Sequence, residues 1–194
     1  MGKIFYVMGK SSSGKDTIYK QLRERDKALR TVVPYTTRPI REGETEGVEY
    51  FFVDKDKLVR MREDRQIIEE RSYNTKCGVW TYFTADDGQI DLEQYDYLMI
   101  GTLVSYSALK EYFGAEKIVP VYIQVEDGER LLRAVAREQK EAAPKYAELC
   151  RRFLADEKDF SEEQLQRAGV EVRFENEDLE KCLEEIERFI EENK

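Results

Sequence analysis

The run Ile4-Phe5-Tyr6-Val7-Met8 ends in Gly9-Lys10-Ser11-Ser12-Ser13-Gly14-Lys15, and this junction constrains the fold more than any other stretch. Consecutive apolar residues closed by a glycine read as a strand buried on both faces. The Gly/Ser turn then reopens as a helix. Backbone N–H groups without intrahelical partners converge there, at the end of the helix that favours an anion. Lys15 adds a point charge that can reach the outer phosphates of a nucleotide. The spacing is the GxxxxGK of a phosphate-binding P-loop, with one departure: Asp16 replaces the usual hydroxyl residue after the lysine, and Thr17 follows. Gly9, Lys10, Ser11, Ser12, Ser13, Gly14, Lys15, Asp16 and Thr17 are therefore the candidate donor-nucleotide residues.

Strand and helix patterns alternate on either side of a strand-rich middle. Lys3–Met8 reads as a strand and Lys15–Lys27 as its helix, with Ile18 and Leu22 on one face. Thr31-Val32-Val33 reads as a short strand that Pro34 ends. Residues 35–47 read as loop, Val48–Val53 as a strand, and 54–64 as a helix. Gln66–Tyr73 and Val79–Thr84 read as strands joined by a turn around Lys76-Cys77-Gly78. Alternation resumes with a strand at Tyr97–Ile100, a helix over 103–113 and a β-branched run, Lys117–Val125, expected to be a central strand. Helices follow over 129–138 and 145–157, then a strand at Val170–Phe174. The last helix spans 179–190, with Leu179, Leu183, Ile186 and Ile190 on one face. The expected architecture is α/β: a three-layer fold with a central parallel sheet, an inserted lobe and a lid. As one domain it divides into a core (1–33, 95–128, 158–194), a lobe (34–94) and a lid region (129–157).

At 194 residues and 41% hydrophobic composition the chain can bury a substantial core. A net charge of −9 argues against a nucleic-acid or anionic-membrane surface. The chain has no apolar stretch near the ~20 residues of a membrane span and no leader-like start, so a cytoplasmic location without an obligate protein partner is expected. Cys77, Cys150 and Cys182 lack a paired spacing and read as reduced thiols. The absence of histidine removes His-based triads but not phosphoryl transfer, which depends on positioning and charge.

Two basic groups stand apart from the P-loop. Arg38 and Arg41 lie in Thr36-Thr37-Arg38-Pro39-Ile40-Arg41-Glu42-Gly43-Glu44, followed by Gly47 and Tyr50; a guanidinium can grip a phosphate bidentately. Arg130, Arg133 and Arg137 recur at helical spacing, and Arg151-Arg152 follow on the next helix.

Together these motifs, in order along the chain, resemble the guanylate kinase family. The long match is Thr36 to Phe52 against a pattern close to TTRxxRxGExxGxxYxF. The resemblance implies transfer of a phosphoryl group from Mg²⁺·ATP to a nucleoside monophosphate, most simply GMP. It implies that Thr36, Arg38, Arg41 and Tyr50 hold the acceptor, with Tyr82 and Thr84 supplying a Tyr-x-Ser/Thr element. Glu69, or Glu70 in the adjacent register, would read the guanine edge. Lys15 with the lid arginines Arg137 and Arg151 or Arg152 would act in catalysis, Arg133 would face ATP, and Asn176 of Asn176-Glu177-Asp178-Leu179 would lie beside the adenine.

Three departures bear on this reading. Asp16 would offer Mg²⁺ a carboxylate oxygen. Ile100-Gly101-Thr102 replaces an acid-x-acid pair, leaving Thr102 as the acceptor-side contact. The segment Tyr73–Trp80, with Cys77 and Trp80, is longer than the family pattern. The Lys-Asp pair is also similar to that of ribose 1,5-bisphosphate phosphokinases, which makes a kinase of that kind the alternative enzyme. A non-catalytic guanylate-kinase-like binding module is the alternative outside enzymes.

Overall fold

Strand β1 (Ile4–Met8) is buried along its whole length, and its alternation builds the core on both sides of a sheet. Ile4, Tyr6 and Met8 enter one apolar cluster; Phe5 and Val7 enter the other. The computed structural model describes residues 1–75 and 78–194. The expected turn at Lys76-Cys77, and Cys77 with it, lie outside the described residues.

The main sheet takes β1, β2 (Arg30–Thr31), β7 (Tyr97–Gly101), β8 (Ile118–Gln124) and β9 (Arg173–Glu175) in the order β2-β7-β1-β8-β9, all parallel. β1 is the central strand, and β8 lies between it and β9. Helices α1 (Lys15–Arg25) and α7 (Leu179–Glu192) cover one face through Ile18, Leu22, Leu183, Ile186 and Ile190. The other is covered by α3 (Leu103–Phe113) and α6 (Glu162–Ala168) through Leu103, Tyr106, Leu109 and Leu165. Sequence reasoning missed α6 because only Leu165 and Ala168 of it are buried. Its caps were legible: Ser161 accepts from the Gln164 N–H, and Gly169 closes the helix in a left-handed conformation.

The second sheet has the order β4-β3-β6-β5, from β3 (Tyr35–Thr36), β4 (Phe51–Phe52), β5 (Ile67–Thr75) and β6 (Gly78–Ala85). Two expectations change here. Residues 35 and 36 are strand, not loop, because they pair with both β4 and β6. Val48–Val53 shortens to Phe51–Phe52, since the chain turns at Gly47, whose N–H donates to the Tyr50 carbonyl. The strand expected at 31–33 is likewise only Arg30–Thr31, because Gln89 takes both the Val33 N–H and its carbonyl.

Alternation gives this sheet two characters. Tyr35, Phe51 and Phe83 face α2 (Lys55–Glu63), packing on Leu58 and Met61. Thr36, Tyr82, Thr84, Glu69 and Arg71 belong to the opposite face. Two more helices, α4 (Asp127–Glu138) and α5 (Tyr146–Asp159), follow β8. Among the described residues, no helix is long and apolar enough to cross a membrane.

Candidate active site

The loop between β1 and α1 is shaped by close contacts that exclude side chains. Gly14 has φ 85°, and a Cβ there would sit 2.3 Å from the Asn176 Nδ2. At Gly9 a Cβ would come within 2.5 Å of the Ile123 carbonyl oxygen, so the loop lies directly on β8. Asn176, at the end of β9, donates from Nδ2 to the Ser13 carbonyl at 2.8 Å. The buried amide thus braces the loop from within. Arg133 donates to the Asn176 carbonyl at 3.0 Å and pairs with Glu129.

The arginines of α4 and α5 reach over the same loop. Arg137 donates to Ser12 Oγ and Arg152 to Ser11 Oγ, each at 3.3 Å. Arg151 is not brought there: it is exposed and paired with Glu148 at 2.6 Å. Lys15 lies 3.5 Å from the Asp16 carboxylate, whose side chain is 85% exposed. Thr17 is exposed in the same first turn.

A buried ion network behind the loop was not anticipated. Arg130, expected only as part of a basic helical face, has a side chain 1% exposed and donates to Asp127, Glu157 and the Ser11 carbonyl. Lys10, read as a phosphate ligand, instead pairs with Glu157 at 2.5 Å and Asp127 at 3.4 Å. Asp156 accepts from the Ser11 N–H at 2.8 Å and lies 3.7 Å from Arg130. The i,i+3 spacing of Asp127 and Arg130 is legible in the sequence; the arrival of α5 carboxylates is not.

On the second sheet, Arg38 is buried and bidentate to Glu44, at 2.7 and 2.5 Å, and its guanidinium lies 5.1 Å from the Tyr50 ring centre. Thr36 is buried and donates to the Thr81 carbonyl, whereas the Arg41 side chain is exposed and only its N–H reaches Glu44. Tyr82 packs edge-on against Tyr50. Of the two glutamates, Glu69 is on the Thr84 face and accepts from its hydroxyl at 2.9 Å, while exposed Glu70 pairs with Arg62. Arg71 was missed. It donates to both Glu69 oxygens, at 3.0 and 3.3 Å, and to Thr102 Oγ1 at 2.9 Å.

The hydrogen bonds from Arg38 hold the Glu44 carboxyl at about 2, well below its ordinary 4.5, against the opposing effect of burial. A depressed carboxylate contributes stability above its ordinary pKa and loses it as pH falls toward the folded value. The clasp therefore holds at neutral pH and is expected to open between about pH 4.5 and 2. An NMR titration of the Glu44 side chain checks this; a midpoint near 4.5 would mean that the clasp does not form.

A family model described as guanylate kinase matches residues 1–79. Guanylate kinases of Legionella pneumophila and Frankia casuarinae are 38% and 43% identical over 68 and 67 residues. Over its first 79 residues the chain is similar to the guanylate kinase family. These alignments cover 35% and 34% of this chain and span only about a third of the relatives' own length (32% and 36%). The likeness to the guanylate kinase family in sequence is thus narrower than the order of motifs implied, ending within the second sheet. The fold extends further: the guanylate kinase structure from Anaplasma phagocytophilum matches 98% of this chain and 85% of its own with a TM-score of 0.68, at 19% identity. The P-loop and the Arg38 segment lie inside the region matched to the family; β7, α4 and α5 lie beyond it.

Proposed function

We propose that the chain transfers the γ-phosphoryl group of ATP to a nucleoside monophosphate, with GMP as the acceptor. One observation carries the reading. Among the described residues, the buried side-chain polar atoms without a hydrogen-bond partner are Ser13 Oγ and Arg38 Nε. One belongs to the P-loop and the other to the Arg38 segment, the two places where phosphate oxygens are expected. Buried polar groups are ordinarily satisfied, so unmet ones at two such stations favour ligand binding there.

In this scheme the loop N–H groups and Lys15 hold the donor phosphates, and Arg38, Arg41 and Tyr50 hold the acceptor monophosphate. An ionised acceptor oxygen attacks the γ-phosphorus, and the bond from that phosphorus to the β–γ bridging oxygen breaks, releasing ADP. No general base is needed, because the attacking oxygen carries no proton. Arg137 and Arg152 neutralise charge as the group moves, and closure of the 129–157 region toward the 34–94 lobe excludes water.

Magnesium fits as an ion carried with ATP. No cluster of three or more His, Cys, Asp or Glu residues among the described residues could hold a metal by itself. The exposed Asp16 beside Lys15 offers one hard oxygen, which suits an ion otherwise bound by phosphates and water. When bound it would offset charge on the nucleotide oxygens.

The test is ADP release from Mg·ATP with GMP, dGMP, AMP, UMP, CMP, dTMP and ribose 1,5-bisphosphate. Turnover is expected mainly with GMP and dGMP. Preference for ribose 1,5-bisphosphate, or turnover with none, would overturn the proposal.

A further inference from the structure

We infer that Arg71, and not Glu69, reads the acceptor's base, through a pair of N–H donors directed at guanine O6 and N7. The inference rests on the proposed transfer to a nucleoside monophosphate. It starts from the layering of the two side chains. Glu69 is 4% exposed and Arg71 20%, so a ligand entering from solvent meets the guanidinium first. The carboxylate behind it is committed: Oε1 accepts from Thr84 and from Arg71 Nη2, and Oε2 accepts from Arg71 Nε.

A guanidinium has five N–H donors. Glu69 takes those on Nε and one on Nη2, and Thr102 takes one on Nη1. One N–H remains on each Nη, with no partner among the described residues. Glu69 and Thr102 thus fix the plane of the guanidinium while leaving a donor on each terminal nitrogen. Thr102 is itself fixed as the cap of α3, accepting from the Ser105 N–H. This arrangement places one contact from β7–α3 and one from β5 on the same side chain, at the position where the expected acid pair is missing.

Two donors on one planar group call for two adjacent acceptors. On its major-groove edge guanine presents O6 beside N7, whereas adenine places an amino donor beside N7 and pyrimidines have no second acceptor on that edge. A phosphate would meet a guanidinium whose charge Glu69 already balances, with that carboxylate behind it. A neutral base edge avoids this repulsion.

Calorimetry on the unaltered protein decides the matter with GMP, IMP and 7-deaza-GMP. IMP keeps O6 and N7 but lacks the 2-amino group, so it is expected to bind within about threefold of GMP. The 7-deaza nucleotide loses one acceptor and is expected to bind roughly 5- to 100-fold more weakly. The reverse order, IMP weak and 7-deaza-GMP equal to GMP, would assign the base to Glu69 and overturn the inference while leaving phosphoryl transfer intact. Failure of all three to bind would overturn the proposed acceptor as well. Arg71→Lys keeps the positive charge but not the planar fork. It should bind GMP and 7-deaza-GMP within about threefold of each other; retained discrimination would count against Arg71.

Discussion

Replacing Lys15 by alanine is expected to reduce ADP release by about 10²- to 10³-fold, while shifting the melting temperature by no more than about 2 °C. The two effects separate because of what surrounds the ammonium. Its nearest charged neighbour is the exposed Asp16 carboxylate at 3.5 Å, so its removal leaves no buried charge unpaired. A pair whose carboxylate is this exposed contributes about 0–1 kcal/mol to folding. In the proposed transfer, by contrast, the ammonium stands at the start of α1 beside the loop amides, where phosphate charge would gather. A preorganised cation there stabilises the charge distribution of the transition state. Steady-state kinetics with melting curves checks this: unchanged turnover would remove Lys15 from the site, and a large fall in melting temperature would make its role structural.

The parts of this molecule legible in the sequence are those set by local pattern. A strand buried on both faces reads as a continuous apolar run, which is why β1 and the loop after it stand out. Helix α7 shows its stripe because Leu183, Ile186 and Ile190 point into a single cluster. The two-residue strands β3 and β4 are invisible for the opposite reason: their identity lies in partners far along the chain, not in their own composition. The same holds within the site. Glu69 and Arg71 share a sheet face by the two-residue period, yet Thr102, which completes the set, is the cap of α3 that follows β7 of the other sheet. Asn176, which the family likeness puts beside the adenine, gives its side-chain amide to the Ser13 carbonyl, a pairing its own segment does not reveal. Short range in sequence predicts the strands and helices; the pairing of polar groups depends on which segments meet.

Arg130 shows how far that principle reaches, since a charge at helical spacing ordinarily lies on a solvated face. Here its guanidinium is enclosed by Asp127, Asp156, Glu157, the Ser11 carbonyl and, 4.7 Å away, the Phe153 ring. Lys10 supplies a second cation to two of these carboxylates, Asp127 and Glu157. With Arg130→Met one cation would face three carboxylates directly behind the P-loop. Breaking a buried pair by removing one partner costs about 3–5 kcal/mol. The partial exposure of Asp127 and Glu157 places this case near the lower figure. For a chain of this length, about 3 kcal/mol corresponds to a melting-temperature fall of roughly 6–12 °C. The uncompensated charge also repels nucleotide phosphate, so ATP affinity should fall with stability. Combining Arg130→Met with Asp156→Asn removes one of those negative charges and should recover part of both losses. Calorimetric melting and ATP titration of the single and double variants test the argument. A single variant that melts within about 2 °C of the unaltered protein would show that the network adds little, and that α4 and α5 hold to the loop by packing instead.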